Sequence, residues 1–258
     1  NFNVATGKSI VIKDNVINVA QTTGTARGAF VFNFNGDVDI QGNTISSTDT
    51  LALMLSGSVV GDVNVQGNTL TCSNSSAFEL NQTGSNRVVV KDNVVKMDNQ
   101  NAVKKAVYVV IEGNVFESYP DKIDSLLDVY CGGGEVNCSS NIFKISGVGK
   151  ASPAVYLKDV GGGGSVTLES NKLYSTSTES SSVFTYTDAG VTTTQLDTLT
   201  IKGNVSFNNV DIFYRENSPI KVRVVNFDRN KSLGANNVNM YRVQATSIIE
   251  KVVETDNV

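Results

Sequence analysis

The sequence predicts an all-β chain wound as a parallel β-helix, a solenoid of about nine to ten coils, and three observations carry that expectation. Nine asparagines, Asn15, Asn43, Asn68, Asn93, Asn114, Asn141, Asn171, Asn204 and Asn230, recur in one frame at spacings of 28, 25, 25, 21, 27, 30, 33 and 26 residues. The third residue before each is Ile12, Ile40, Val65, Val90, Ile111, Cys138, Leu168, Ile201 and Phe227, and the fifth is Ile10, Val38, Val63, Val88, Val109, Val136, Val166, Leu199 and Val225, all apolar. The residues between them, such as Lys13, Gln41, Lys91, Glu112 and Lys202, are polar. Apolar positions two apart with polar ones between them make a strand with one buried and one wet face. A repeat of roughly 20 to 50 residues built on such strands stacks into a solenoid instead of closing into a globule.

Each repeat holds three strands. The first lies ahead of the Asn-bearing one, at residues 29–34, 51–55, 77–80, 126–130, 154–157, 183–186, 211–214 and 239–243. Turn formers follow it, such as Asn35-Gly36, Gly84-Ser85-Asn86 and the runs at 132–134 and 161–164; glycine there supplies positive φ and breaks the strand. The Asn-bearing strand comes second. After the Asn a short third strand places an apolar residue two positions on, at Ile17, Ile45, Leu70, Val95, Phe116, Phe143 and Leu173, with the pattern slipping to Phe207 and Leu233 in the last two repeats. The Asn itself is the non-glycine residue that best tolerates the left-handed backbone a sharp corner needs. Stacked at ~4.8 Å per rung, its carboxamide can bond to the next in a ladder. The 21-residue coil from Asn93 to Asn114 has no separate turn, so its corner should be smooth.

Composition bounds the rest. At 258 residues the chain reads as a single β-helix domain over 1–258, with coils at about 9–243 and a capping segment at 244–258 whose Ile248, Ile249, Val252 and Val253 cover the last coil. A net charge of -4 leaves no cationic excess for nucleic acid, and no apolar stretch approaches the ~20 residues that span a bilayer. Starting at Asn1 without a signal-like segment, the chain reads as a mature or excised piece. Cys72, Cys131 and Cys138 are too few for a disulfide framework, and Cys138 occupies a core slot. With no His and no paired CxxC, no metal or other cofactor is expected. Five Asn-x-Ser/Thr triplets, at Asn74, Asn81, Asn137, Asn204 and Asn230, matter only if the protein is secreted by a eukaryote.

The repeats Ile12-Lys13-Asp14-Asn15-Val16-Ile17 and Ile40-Gln41-Gly42-Asn43-Thr44-Ile45 resemble the coils of the right-handed parallel β-helix, or pectin-lyase-like, superfamily typified by pectate lyases. Secreted and surface proteins with I-x-x-N-x-I repeats look similar. The resemblance implies a right-handed winding and an asparagine ladder between the second and third strands. Activity does not follow from it, because hydrolases, lyases, adhesins and inert stalks share the fold.

In the resembled enzymes the reaction site lies on the outer face of the first strand. Alternation puts Phe32, Phe34, Leu53, Leu55, Phe78, Leu80, Leu127, Val129, Val155 and Leu157 inside, leaving an outward column of Asn33, Met54, Glu79, Lys104 or Lys105, Asp128, Tyr156 and Thr185. Glu79 and Asp128 are the candidate catalytic pair, two rungs or about 10 Å apart, near the upper end of the ~6.5–9.5 Å of inverting glycosidases. Tyr130 and Tyr156 are candidate ligand-binding residues, with Tyr108, Tyr119 and Tyr174 also outward, since exposed rings can stack sugars. Extra loops at 118–124, 175–182 and 188–197 are further places for binding. The expectation is a non-enzymatic extracellular or cell-surface module, structural or adhesive, that binds a polysaccharide, a surface glycan or a protein. The alternatives are a polysaccharide-active hydrolase or lyase, and a segment of a phage tailspike or autotransporter passenger, which oligomeric state would help to separate.

Overall fold

The computed structural model describes residues 8–20, 29–56, 60–98, 101–119, 125–130, 134–146, 154–158, 163–176, 184–187, 196–207, 215–216, 221–233 and 248–256, with the backbone alone at 30, 32, 82–86, 104–106, 158, 184–187, 215–216 and 248. Among the described residues there is no helix, and the paired strands run parallel, rung on rung, in a 16-stranded and a nine-stranded sheet. The chain is an all-β parallel solenoid. Complete coils, with all three faces formed and described side chains on each, run from Ala29 to Ser175. They number about six, not the nine to ten expected for the whole chain.

Second-face strands such as Gly36–Gln41, Val63–Gln66, Glu135–Ser139 and Ser165–Glu169 turn Val38, Ile40, Val63, Val65, Val136, Cys138, Val166 and Leu168 inward, at the positions the repeat assigns. The third face adds Ile45, Leu70, Val95, Phe116, Phe143 and Leu173, and the first adds Leu53, Leu55, Phe78, Leu80, Leu127, Val129, Val155 and Leu157. All are essentially inaccessible to water, so one apolar column runs down the axis. Phe116 and Phe143 stack inside it with centroids 5.4 Å apart, and Phe78 tilts against Phe116 at 6.4 Å. Fully burying such side chains stabilises by about 1.5–3 kcal/mol each.

The nine asparagines form the expected line. From Asn15 to Asn230, each Nδ2 donates to Oδ1 of the next at 2.9–3.0 Å. Each backbone N–H donates to that same oxygen at 2.9–3.1 Å. The other amide hydrogen of each, from Asn43 on, reaches a carbonyl one coil back, such as Ile12, Val90 or Leu168, at 2.8 Å. An interior rung therefore uses both donors and fills its acceptor oxygen twice, which is what a carboxamide with no access to water requires.

The left-handed residue of the corner is not the Asn, as expected, but the one before it. Positive φ occurs at Asp14, Gly42, Gly67, Asp92, Gly113, Ser140, Ser170, Gly203 and Arg229. The division of labour is physical: the preceding residue turns the chain, so the Asn can aim its backbone N–H and its side chain along the stack together. This also explains why Gly, Asp or Ser stands there in eight of nine repeats.

Four further expectations are corrected. In Ala29–Phe32 the register pairs Ala29 with Leu53 and Val31 with Leu55, so Val31 takes the core position while Phe32 falls in register with Ser56; Asn33 leaves the strand at φ 50°, and Phe34 is buried after the turn. Gly84-Ser85-Asn86 does not interrupt its strand, because Phe78–Lys91 runs unbroken across the corner. It lies beside Asn101–Glu112, which is likewise one continuous strand in the shortest coil, although the pairing between the two shifts register between Lys104 and Ala106. The third-face pattern does not slip at its end: Ser206 is buried where an apolar residue stood before, while Phe207 and Leu233 pair in the outward column of Tyr174. A one-residue slip would have put Phe207 inside but broken the ladder at Asn204, and the ladder holds the register. Finally, the column slot between Glu79 and Asp128 belongs to Ala102, not Lys104 or Lys105.

At the far end, Ile248–Thr255 covers the last coil as a further parallel rung, pairing Val252 with Val225 and Glu254 with Phe227.

Candidate functional site

Parallel pairing turns each sheet exterior into columns of side chains one rung apart, about 4.8 Å. On the first face the register confirms one such column: Met54, Glu79, Ala102, Asp128, Tyr156 and Thr185 pair in succession. Glu79 and Asp128 thus share a column two rungs apart, as the sequence implied, but their surroundings differ. Glu79 is half-buried, whereas Asp128 is 0% exposed and accepts a hydrogen bond from Ser125 Oγ. The segment entering the strand, Ser125 and Leu126, is itself buried. A carboxylate with no accessible surface cannot touch a polysaccharide without a rearrangement around it. Tyr130 and Tyr156 lie half-buried on adjacent rungs of the same face, but diagonally, because Tyr156 pairs with Asp128 and Tyr130 with Lys158. The loops at 177–182 and 188–195, and most of 118–124, lie outside the described residues, as do Cys131 and the first strand expected at 239–243.

A concave surface lies on the second face. A cleft of about 370 Å³ is lined by Arg87, Tyr108, Glu135, Asn137, Ser165 and Thr167, among others. The columns account for it. Counting six back from the ladder Asn, Arg87 pairs with Tyr108, Tyr108 with Glu135, and Glu135 with Ser165. The column beside it, four back, runs Val110, Asn137, Thr167. Gly134 lets the rungs close up here, since a Cβ on it would sit 1.5 Å from the Val107 carbonyl oxygen. Sequence reasoning missed this constellation, although the frame that gave the ladder also gives Arg87, Tyr108 and Glu135 at one offset.

The other outward tyrosines are engaged. Tyr174 stacks on Phe207 with centroids 4.5 Å apart and planes 1° from parallel. Lys96 Nζ sits 4.7 Å over the Tyr119 ring while pairing with Glu117 at 2.9 Å, and the hydrogen bond from Lys96 to Glu117 raises the Lys96 pKa. Such contacts stabilise the sheet. Tyr108 is 47% exposed.

The remaining polar groups serve the scaffold. Burial pushes the Cys138 thiol up to about 12, and it raises Cys72 as well. Both are inaccessible, which disfavours the reactive thiolate. Asp197 is held below its ordinary value by the Arg223 guanidinium hydrogen-bonded to it. No group of three or more potential metal-ligating acids or cysteines occurs among the described residues, and none of them forms a helix long and apolar enough to cross a membrane. Of the five triplets, Asn204 and Asn230 are buried in the ladder, Asn204 Nδ2 donating to the Leu168 carbonyl and to Asn230 Oδ1, and Asn230 Nδ2 donating to the Ile201 carbonyl, so neither accepts a glycan in the folded chain.

No family model, curated protein or solved structure matches this chain.

Proposed function

We propose that this chain is a non-enzymatic, extracellular or cell-surface β-helix module with a structural and adhesive role, and that its outer faces bind glycans. The observation that carries this reading is the polar cleft around the exposed Tyr108, set on a scaffold whose interior is committed to packing. A stack held by a continuous ladder is stiff and extended, and its flanks repeat at a fixed spacing, which suits multivalent contact with a repeating polymer. The same ladder supports kinship with the pectin-lyase-like superfamily. Binding to a glycan array, together with incubation on the bound polysaccharides and assay for new reducing ends, tests the reading. Binding without turnover is expected, and catalytic depolymerisation would overturn it.

The shared column of Glu79 and Asp128 favours a second reading, a polysaccharide-active enzyme. It requires turnover that Glu79→Gln and Asp128→Asn each abolish.

A further inference from the structure

We infer that the cleft around Tyr108 is a subsite for a neutral oligosaccharide lying along the solenoid axis, with its central sugar against the Tyr108 ring. This deepens the glycan-binding reading and rests on it.

A pyranose presents C–H groups on its faces and hydroxyls around its rim, so it is bound by an aromatic surface within a polar frame. Tyr108 supplies the ring. Arg87 lies one rung to one side and Glu135 one rung to the other, so the frame spans about 10 Å along the axis. Arg87 offers only donors and Glu135 only acceptors, while Asn137, Ser165 and Thr167 offer both. Sugar hydroxyls donate and accept at once, and this mixture satisfies both capacities. The volume, about 370 Å³, lies at the small end of ligand sites, which fits a few sugars and not a long enclosed chain.

Charge selects among glycans. Among the described residues, Arg87 is the single cation lining the cleft and Glu135 the single anion. Asp62 holds the same frame position one coil before Arg87, its amide donating to Asp37 Oδ1, so two more carboxylates stand on the Arg87 side. A chain of uronates would meet three carboxylates and one guanidinium, whereas a neutral chain meets hydrogen-bonding groups without net repulsion.

The test is titration of the ¹⁵N-labelled chain with neutral xylo-, manno- and gluco-oligosaccharides, and with an oligouronate, followed by NMR with affinities from calorimetry. A neutral oligosaccharide is expected to shift the amides of Tyr108, Asn137 and Thr167, with affinity at least ten-fold above that of the oligouronate. Tyr108→Ala should lower affinity ten-fold or more and Glu135→Gln several-fold, with unchanged circular dichroism, while Tyr174→Ala should leave binding intact. Shifts centred on Tyr130 and Tyr156 instead would overturn this subsite and leave the glycan-binding reading standing. Stronger binding of the oligouronate would overturn the charge argument and with it the inference. Binding of none of these probes would overturn the subsite, and an empty glycan array as well would overturn both.

Discussion

Replacing Asn114 by alanine removes the centre of the ladder, and the geometry sets the size of the effect. Asn114 Nδ2 donates to the Val90 carbonyl at 2.8 Å and to Asn141 Oδ1 at 2.9 Å, while its Oδ1 accepts from Asn93 N and Asn93 Nδ2, both at 2.9 Å. Alanine deletes these four bonds and a fifth, from Nδ2 to the Glu112 carbonyl at 3.1 Å. Asn141 Oδ1 keeps the Asn114 backbone donor and Asn93 Nδ2 keeps the Val65 carbonyl, so the group fully stranded is the buried Asn93 N–H. One buried unsatisfied donor costs about 1–3 kcal/mol, and the lost bonds add about 1 kcal/mol more, giving about 3 kcal/mol. Asn15→Ala is the internal control. Asn15 is exposed and bonds forward only to Asn43, so less than about 1 kcal/mol is expected. Because stacked repeats can open locally, the assay is hydrogen exchange of the Asn93 amide alongside urea unfolding. About 3 kcal/mol is about a 100-fold faster exchange. If Asn114→Ala cost no more than Asn15→Ala, the ladder would not be contributing as argued.

Three other outcomes follow from the packing. Gly67→Ala meets open space and carries only the penalty of φ 64°, about 1–2 kcal/mol, whereas Gly134→Ala drives a Cβ into the Val107 carbonyl and should prevent that coil from closing; urea midpoints compare the two. Phe116→Ala removes a ring wholly buried between Phe78 and Phe143, and should lower stability by about 3–5 kcal/mol in the same assay. Cys138 adds a pH dependence. Its folded thiol holds its proton up to about 12 against an ordinary value of 9.0, so the unfolded chain binds fewer protons between those values. Stability from this group is therefore fully present below pH 9.0 and falls as pH rises toward about 12, a slope that Cys138→Ala should reduce.

The ladder and core were legible because their period coincides with their chemistry: one Asn per coil, with inward apolar residues at fixed offsets. What went wrong turned on single-residue parity. The corner residue and the Asn are neighbours, and only φ shows that Gly42 or Ser170 makes the turn while Asn43 or Asn171 makes the bonds. Val31 takes the core position of its strand because its register matches Leu55, and Phe207 points out because the backbone keeps its register against the hydrophobic preference of one side chain. The outward column of Glu79 and Asp128 was readable, but the burial of Asp128 was not, since alternation says nothing of what crosses over a face. The Tyr108 cleft was hidden for a related reason: its residues come from consecutive coils of unequal length, and they align only when counted back from each Asn.

The central claim is that the coils are stacked in parallel with their carboxamide corners in register, and a crystal structure tests it most directly. The account predicts eight successive Asn Nδ2 to Oδ1 contacts, from Asn15 to Asn230, each near 3.0 Å. Asparagines dispersed over the surface, or joined only through water, would contradict it.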